Sequence, residues 1–435
     1  MKFYSTNKKS PLVSLHEAVL TGLAPDGGLY MPTEIPQFSE NFIAHLGQLS
    51  FQDIAFEVAS RFVFPDLKRS TLEQIVDEAI NFDAPLVKVE DDVYSLELFH
   101  GPTLAFKDFG ARFMSRLTAY YAQSLDREMT VLVATSGDTG SAVANGFHDV
   151  PGINVVLLYP SGKVSKIQEQ QLTTLEGNVC ALEVSGAFDD CQKLVKQAFA
   201  DNELTDVVQL TSANSINIAR LIPQSFYYFY GFAQLKSKAD PVAISVPSGN
   251  FGNLTAGIIA GRMGLPVCKF VTSTNVNDVV PKYLETGLFE PKPTIQTISK
   301  AMDVGNPSNF ARILDLYDGR HDRMREDLFG LSFSDDQTLE TIHEVYRTTG
   351  YILDPHGAVG YLGLKAFLAN QFKKQQGIFL STAHPAKFWD VVQPIVGDAL
   401  TMPDILQQAL NKQKRAVPMA NDFDSLREFL LGLAG

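Results

Sequence analysis

Residues 241–264 read PVAISVPSGNFGNLTAGIIAGRMG, and this stretch indicates the fold class. An apolar run ends at Val246, a glycine-rich turn follows, and an apolar, helix-like segment continues to Gly264. Residues 129–147, MTVLVATSGDTGSAVANGF, repeat the same order of strand, turn and helix. Strands that alternate with helices are typical of βαβ units and of a mostly parallel sheet. The sequence therefore predicts an α/β fold.

Three more apolar segments extend this pattern. They are INVVLLYP (153–160), VCKFVTST (267–274) and GIFLSTAHPAKF (377–388). In parallel sheets, ligands bind in the crevice outside the carboxyl ends of the strands. Because each Gly/Ser-rich turn follows the carboxyl end of its strand, we expect these turns to surround one binding site.

The first 85 residues follow a different pattern. FQDIAFEVASRFVF (51–64) and STLEQIVDEAINF (70–82) carry apolar residues near helical spacing, and no strand-turn-helix unit is evident. We predict an appended, mainly helical N-terminal domain over residues 1–85 and an α/β region, with the expected binding site, over residues 86–435.

The composition and charge of the chain argue against several classes of protein. The 435 residues carry a formal net charge of −13, with a pI near 5.1 and no basic cluster of the kind that nucleic-acid-binding proteins use. Three widely spaced cysteines without a CxxC pair support neither a disulfide framework nor a metal site. The N-terminal segment lacks an apolar signal core, and no apolar run approaches the ~20 residues of a membrane span. We expect a soluble cytoplasmic protein that binds neither nucleic acid nor a membrane.

Lys107 is the first candidate site residue. It lies in ELFHGPTLAFKDFGARF (97–113), between Phe106 and Asp108. Lysines are rarely buried. Apolar neighbours that shield an amine from water lower its pKa, as a Schiff-base or general-base lysine requires. The alternative is an ordinary surface lysine whose aliphatic stem packs on its neighbours.

The glycine-rich turn after Val246 is the second candidate. Successive backbone N–H groups can converge in such a turn, and the helix that follows adds positive potential, so the turn suits a phosphate. It is neither a Walker A loop nor a G-x-G-x-x-G fingerprint. An ordinary βα turn is the alternative. The residues of this turn are Ser248, Gly249, Asn250, Phe251, Gly252 and Asn253.

Two further polar segments suit anions. Residues 135–141 place hydroxyls and amides at a strand-to-helix junction, which suits a carboxylate, although they can equally serve as a helix cap. Residues 212–221, SANSINIARL, carry Asn217 and Arg220. Arginine binds phosphates and carboxylates in a bidentate manner, and a structural salt bridge is its other common role. Lys163, beside a glycine, is a weaker phosphate candidate.

The combination of these segments is more informative than any one of them. Pyridoxal phosphate (PLP) needs a lysine for its aldehyde and an anion site for its phosphate, and an amino-acid substrate needs a site for its carboxylate. Ser381 and Thr382, which follow the last strand, add a polar wall or a simple cap. HExxH, G-x-S-x-G and G-x-G-x-x-G motifs are absent from the sequence. The sequence thus favours a PLP enzyme.

The chain resembles the threonine synthase family of bacteria and fungi along nearly its whole length. This resemblance implies fold type II PLP architecture, with the cofactor between two α/β domains. The smaller lobe, at approximately residues 110–210, would be inserted in the larger cofactor-binding lobe. The segments that carry the resemblance are HGPTLAFKDFGARF (100–113), ATSGDTGSA (134–142), SANSINIARL (212–221), VPSGNFGN (246–253), STAHPAKF (381–388) and the N-terminal block YSTNKKSPLVSLHEAVLTGLAPDGGLYMP (4–32).

The resemblance also implies an activity, the conversion of O-phospho-L-homoserine and water to L-threonine and phosphate. Lys107 would be the Schiff-base lysine and proton shuttle, and Thr382 would face the pyridine nitrogen. The turn that begins at Ser248 would hold the cofactor phosphate. The substrate carboxylate would bind to Ser136, Gly137, Asp138 and Thr139. The candidates for the substrate phosphate are Lys163, Asn217 and Arg220.

Other readings stay open at this point. A related PLP lyase would eliminate phosphate from the same substrate and release a keto acid, and the turns alone do not exclude it. A catalytically silent ligand-binding protein on the same scaffold would have no need of Lys107. A dehydratase or a cysteine-synthase-like enzyme would leave Arg220 without a clear role. The oligomeric state is open, and a monomer is one option.

Overall fold

The computed structural model describes residues 1–237 and 240–433. The strands in this part of the chain are β1 (Lys2–Ser5), β2 (Val13–Ser14), β3 (Tyr30–Pro32), β4 (Leu86–Glu90), β5 (Val93–Glu97), β6 (Met129–Ala134), β7 (Ile153–Pro160), β8 (Val179–Val184), β9 (Gln209–Thr211), β10 (Val242–Pro247), β11 (Val267–Thr274), β12 (Leu328–Ser332), β13 (Gln376–Ser381) and β14 (Val417–Met419). The helices are α1 (Leu15–Thr21), α2 (Glu40–His45), α3 (Phe51–Val63), α4 (Arg69–Ala79), α5 (Lys107–Ala122), α6 (Asp138–Phe147), α7 (Lys166–Thr173), α8 (Phe188–Ala200), α9 (Asn202–Val207), α10 (Ile218–Leu221), α11 (Phe226–Ala233), α12 (Gly252–Arg262), α13 (Val279–Thr286), α14 (Phe310–Leu316), α15 (His321–Asp327), α16 (Asp335–Thr349), α17 (Pro355–Leu368), α18 (Trp389–Val396), α19 (Asp404–Asn411) and α20 (Phe423–Leu433).

The N-terminal segment contains a small sheet as well as helices. Strand β1 pairs antiparallel with both β2 and β3. The sequence predicted a mainly helical domain here and indicated no strand, and α3 and α4 are indeed present. The three strands are too short to show the two-residue periodicity by which a strand is recognised. The N-terminal part is therefore mainly helical, with a sheet that the sequence did not indicate.

The larger of the two main sheets has the order β12-β11-β10-β13-β5-β4. Its strands are parallel except β4, which pairs antiparallel with β5 at one edge. Every residue of β10 and β13 is buried, as expected when helices cover both faces of a parallel sheet. The carboxyl ends of β5, β10 and β13 lie at the same edge. The predicted glycine-rich turn and Thr382 both follow strands that end there.

The smaller main sheet has the order β14-β8-β7-β6-β9, and all its pairings are parallel. Four of its strands come from residues 129–211, and the fifth, β14, comes from residues 417–419 near the end of the chain. Two mostly parallel sheets with flanking helices confirm the predicted α/β fold. The contribution of β14 was not anticipated from the sequence.

Local sequence explains where several helices begin and end. Helix α16 begins after Ser334, whose hydroxyl accepts from Gln337 N while the Gln337 side chain accepts from Ser334 N, a capping box. It ends at Gly350, which has a φ of +75°, a conformation that glycine adopts without strain.

Arg312 on α14 links three parts of the chain. Its side chain is completely buried. The guanidinium donates to Asn309 Oδ1 (2.7 Å), Ile216 O (2.7 Å), Tyr30 O (3.1 Å) and Ser215 O (3.3 Å). Burial lowers the pKa of Arg312 to about 9. One side chain thus joins β3, the segment before α10 and the start of α14.

Among residues 1–237 and 240–433, no helix has both the length and the apolar character needed to cross a bilayer.

Candidate active site

Lys107 is the first residue of α5, and its segment is bonded to the chain that leaves β13. Phe106 N–H donates to Thr382 O (2.9 Å). His384 N–H donates to Leu104 O (3.1 Å). Leu104 itself has a φ of +57°, an unusual conformation for a leucine. These bonds place the predicted lysine beside the predicted Thr382, at the carboxyl edge of the large sheet.

The Lys107 amine is shielded but chemically available. Burial lowers its pKa to about 8, the Asp138 carboxylate opposes this shift, and the cations of Arg220 and Lys387 add to it. The side chain keeps some accessible surface although protein atoms surround it. Within residues 1–237 and 240–433, Lys107 forms no salt bridge. The nearest aromatic ring, of Phe106, lies 5.9 Å from its Nζ.

The glycine-rich turn joins β10 to α12 and presents free backbone amides. Ser248 N–H donates to Ser273 O (2.8 Å), and Ser248 Oγ donates to Val246 O (2.8 Å). Phe251 has a left-handed φ of +62°. From Gly249 to Asn253, no backbone N–H donates a hydrogen bond to any described residue. Successive unpaired N–H groups at a helix start form an anion site.

The two asparagines of this turn differ in what their side chains contact. Asn250 Nδ2 donates to Ser215 Oγ (2.6 Å), and its Oδ1 accepts from Ser308 N (2.7 Å) and Oγ (2.9 Å). Asn253 Oδ1 accepts from the Tyr227 and Tyr228 hydroxyls, at 2.7 and 2.8 Å. Its Nδ2 is buried and has no partner in the described part of the chain. Asn250 therefore fixes the turn, while Asn253 keeps a donor free.

Gly249→Ala is expected to weaken cofactor binding. An added Cβ would lie 2.6 Å from Ala301 O and 2.7 Å from Met302 Cα. These are backbone atoms, and Ala301 N–H is held by His356 Nε2 at 3.2 Å. Overpacking of this kind costs about 1–3 kcal/mol, so we expect roughly 5- to 150-fold weaker binding of PLP, measured by its visible absorption.

Gly261→Ala is the matched control for this variant. It lies in the same helix, and its added Cβ would meet only the Phe270 ring, at 3.5 and 3.8 Å. We expect unchanged PLP affinity there. Equal affinities of the Gly249→Ala variant and the wild type would contradict the placement of the cofactor phosphate in this turn.

The second turn, after β6, also presents backbone amides. Thr135 Oγ1 accepts from Gly137 N (3.1 Å) and Gly140 N (2.8 Å), which fixes the turn. Gly137 has a φ of +149°, and an added Cβ would lie 2.7 Å from the Gln168 side chain. Three backbone N–H groups of the turn have no partner in the described chain: those of Ser136, Asp138 and Thr139. This arrangement suits a carboxylate.

The Asp138 side chain has a different partner. Its Oδ1 accepts from Lys387 Nζ (2.7 Å) and from Gln168 Nε2 (3.0 Å). Burial by itself raises the pKa of this carboxyl, but the ammonium groups of Lys387 and Lys107 hold it well below its usual range. A carboxylate repels an anionic substrate group. Asp138 can therefore contribute its backbone N–H, and not its side chain, to binding a substrate carboxylate.

Lys387 is a site residue that the sequence reasoning missed. Its Nζ is completely buried and also donates to Thr103 O (2.7 Å). The only signal was its position in STAHPAKF, where a lysine stands between Ala386 and Phe388. The same reasoning that singled out Lys107, a lysine with apolar neighbours, applies to it.

Of the three candidates for the substrate phosphate, Arg220 is the one whose charge acts on Lys107. It is buried, and its Nη1 donates to Ala213 O (2.6 Å). Its Nε has no partner among the described residues. Burial lowers the pKa of Arg220 to about 10, and Asp108 opposes this shift. The close approach of Arg220 to α5 requires Gly110, where an added Cβ would lie 3.0 Å from the Arg220 Nε.

The other two candidates have surroundings that favour them less. Asn217 Nδ2 donates to Val19 O (2.9 Å) and Ser212 O (3.1 Å), while its Oδ1 caps α10 by accepting from Ala219 N (3.0 Å). Lys163 is exposed, and the charge that it influences is Asp190, on α8. The structure does not bring either side chain into contact with Lys107 within the described chain.

Thr382 is buried beside the Lys107 segment, with 6% of its surface exposed. Its hydroxyl has no hydrogen-bond partner among residues 1–237 and 240–433, whereas the neighbouring Ser381 Oγ lies 2.8 Å from Ser95 Oγ. The predicted hydroxyl is thus available to a ligand, and the adjacent one is not.

The sequence matches three family models that together cover most of the chain. These are the pyridoxal-phosphate dependent enzyme family over residues 82–382, the threonine synthase N terminus over residues 2–80 and the threonine synthase C-terminal family over residues 357–430. The threonine synthase of Haemophilus influenzae is 46% identical over 433 residues, which are 99% of this chain and 100% of that protein. The chain belongs to the threonine synthase family.

Solved threonine synthases share the fold. The crystal structure of the Escherichia coli enzyme superimposes with a TM-score of 0.92 at 42% identity and covers 100% of both chains. The PLP-bound threonine synthase of Brucella melitensis gives a TM-score of 0.94 at 35% identity, over 100% of this chain and 99% of that one. The protein is therefore a PLP-dependent lyase of fold type II.

The residues of this chain fit the cofactor. The turn around Gly249 has no room for a side chain and offers unpaired amides to a phosphate. Asn253 Nδ2 is a buried donor without a partner at the start of the same helix. Lys107 supplies an amine with a pKa of about 8. At pH 7 roughly a tenth of the molecules therefore carry it uncharged, a far larger share than for an ordinary lysine.

Proposed function

We propose that this enzyme converts O-phospho-L-homoserine and water to L-threonine and phosphate. The proposal is carried by the Lys107 amine, which forms no salt bridge within the described residues, lies beside the carboxyl edge of the large sheet and interacts with Asp138 in the turn after β6 of the small sheet. The turn after β10 and the turn after β6 both present unpaired backbone N–H groups. One turn suits the cofactor phosphate and the other suits an amino-acid carboxylate. Arg220, in the polar segment 212–221, adds a buried positive charge.

When bound, PLP supplies an aldehyde for an amine and a ring system that delocalises negative charge from the adjacent carbon. The amides of Gly249–Asn253 would hold the cofactor phosphate, and the free Thr382 hydroxyl would contact the pyridine nitrogen. Lys107 would bond the aldehyde in the resting enzyme. Ser136, Asp138 and Thr139 would hold the substrate carboxylate through their backbone N–H groups and hydroxyls. Gly137, whose own N–H donates to Thr135 Oγ1, would line the same turn without a side chain.

Lys107 is also the proton carrier of the proposed reaction. Once substrate displaces it from the aldehyde, its amine can take the α-proton of the substrate and return it later to carbon. A pKa of about 8 suits this role, since general acids and bases work best with a pKa near the operating pH. Water adds at the β-carbon after phosphate has left from the γ-carbon.

Arg220 is our first candidate to bind the leaving phosphate, and its contacts should strengthen as the phosphate gains charge. Its Nε is buried without a partner in the described chain, and a buried donor of this kind is satisfied by an anion. Lys163 and Asn217 are kept as candidates, with less support because one is exposed and the other caps a helix.

The pH dependence of cofactor binding tests the state of Lys107. Only the uncharged amine attacks an aldehyde, and burial lowers the Lys107 pKa from 10.5 to about 8. The rate at which the apoprotein binds PLP should rise roughly tenfold per pH unit below about 8 and level off above it. Stopped-flow absorption measures this rate. An inflection at the ordinary lysine value, near 10.5, would show that the amine is not shielded.

Product analysis tests the reaction itself. The purified holoenzyme is incubated with O-phospho-L-homoserine, and threonine, phosphate and keto acid are quantified. We expect one threonine for each phosphate released. Keto acid and ammonia in place of threonine would identify the phosphate-eliminating lyase instead, because the two reactions differ only in whether water is added at the β-carbon.

We further propose that the chain divides near residue 85 into an N-terminal domain and a catalytic region, and that the enzyme works in the cytoplasm. The first point is supported by the change of architecture between α4 and β4. Limited proteolysis with mass spectrometry would test the boundary.

A further inference from the structure

A buried ion pair connects the two main sheets beside Lys107. Asp138 opens α6, which follows a strand of the small sheet, and Lys387 follows β13 of the large sheet. Lys387 Nζ lies 2.7 Å from Asp138 Oδ1, and the two side chains are 0% and 4% exposed. Burying two charges costs several kcal/mol per ion in general, and an apolar pair of similar volume is often as stable. Stability alone therefore does not explain this pair.

We propose that Lys387 is a positioning residue that takes the Asp138 carboxylate for itself and so leaves the Lys107 amine without a carboxylate partner. The proposal rests on the role proposed above for Lys107. It concerns how the amine is kept free for the cofactor aldehyde and for proton transfer.

The charged groups around Lys107 support this role. Asp138 is the carboxylate that acts on Lys107, and Arg220 and Lys387 are the cations that do so. A second carboxylate, Asp108, lies next in the chain, but it accepts from Thr103 N (2.8 Å) and Thr103 Oγ1 (2.6 Å). Both carboxylates near the amine thus already have donors.

Thr103 joins these contacts into one network. Its carbonyl accepts from Lys387 Nζ (2.7 Å) and from Gln171 Nε2 (3.3 Å), while its N–H and hydroxyl bind Asp108. Lys387 is therefore held by two acceptors at fixed distances. Because the network ties the β6 turn to the chain after β13, it sets the distance between the substrate turn and the lysine.

Removal of Lys387 has a defined electrostatic consequence. Asp138 would become a buried anion, and the remaining cation that acts on it is Lys107. An opposite charge favours the charged form of an amine, so Lys107 would hold its proton more tightly. The Lys387 cation also lowers the Lys107 pKa directly, so its loss would raise that pKa further. When Asp138 is removed together with Lys387, Lys107 loses one neighbouring carboxylate and one neighbouring cation. The two effects on its pKa then oppose each other.

Four variants of the full-length protein test this inference. They are Lys387→Met, Lys387→Arg, Asp138→Asn/Lys387→Met and the control Lys365→Met. Lys365 is a half-exposed lysine that pairs with Glu90 at 3.0 Å, away from the network. The readout is the pH dependence of the rate at which the apoprotein binds PLP, followed by visible absorption, with the pH profile of kcat/KM as a second readout.

In Lys387→Met we expect the inflection to move to higher pH by at least about one unit, so that PLP binding at neutral pH slows roughly tenfold. Lys387→Arg, which keeps the cation, should move it less. In the double variant and in Lys365→Met, the inflection of PLP binding should lie at the same pH as in the wild type. An unchanged inflection in Lys387→Met, or an equal shift in the double variant, overturns the inference.

If Lys387→Met does not fold, the single variant Asp138→Asn tests the same inference. Asp138→Asn leaves Lys387 as a cation with no carboxylate beside it, so the inflection should move to lower pH. No shift, or a shift to higher pH, would overturn the inference. PLP binding is measured without substrate, so a wild-type enzyme that binds PLP but forms no threonine would count against the proposed reaction only.

Discussion

Lys107→Ala is expected to abolish turnover and the visible absorption of bound PLP. The variant loses the amine that bonds the cofactor aldehyde and the group that carries the substrate proton. Loss of acid–base assistance alone typically costs about 10²–10⁴-fold in rate, and loss of covalent attachment adds to it. Steady-state assays of threonine formation and an absorption spectrum of the purified variant measure both effects.

The fold should survive this change. Lys107 makes no salt bridge in the described chain, and removing a buried amine relieves a desolvation cost. Compared as apoproteins, the variant should therefore have a thermal unfolding midpoint at or above that of the wild type, since bound PLP would itself stabilise the wild type. Lys282→Ala, at an exposed lysine paired with Asp278 at 3.1 Å, serves as the control and should retain full activity. Normal turnover by the Lys107→Ala enzyme would refute the assignment.

Arg312→Met is expected to give the largest loss of stability. The guanidinium is completely buried and donates to three backbone carbonyls and to Asn309 Oδ1. An unsatisfied buried polar group costs about 1–3 kcal/mol, and relief of the buried charge offsets part of the sum. We expect the free energy of unfolding to fall by roughly 2–5 kcal/mol, measured by urea denaturation.

Arg323→Met is the matched control, because Arg323 is exposed on the neighbouring helix α15. Exposed substitutions usually change stability by no more than about 0.5 kcal/mol. Arg312→Lys should fall between the two, since an ammonium keeps the charge but cannot span all four acceptors. If Arg312→Met lost no more unfolding free energy than Arg323→Met, the four acceptors of the Arg312 guanidinium would have found other donors.

Much of the fold could be predicted from the sequence because long apolar strands next to glycine-rich turns are local patterns. Strands β6, β7, β10, β11 and β13 were recognised in this way, and each is buried along most of its length. The N-terminal strands were missed because two to four residues carry no detectable period. The pairing of β14 with β8 joins residues far apart in sequence, and no local signal reports such a contact.

The candidate site likewise has residues that could be predicted from the sequence and residues that could not. Lys107 and the two glycine-rich turns could be proposed because their neighbours in sequence are also their neighbours in space. The Asp138–Lys387 pair could not, since its members come from different sheets. The use of Asn217 as a helix cap was equally hidden, because its partners include Val19 O in the N-terminal segment.

Strand β14 has a consequence for how the protein is made. It covers the edge of β8, pairing Val417 with Leu182 and Met419 with Val184, and it is followed by α20, whose Arg427 binds Asp201 at 2.9 Å. Until the ribosome has released these last residues, β8 presents an open edge to other nascent chains. A premature stop codon that removes them should therefore yield aggregates, even though every residue discussed for catalysis would already have been translated.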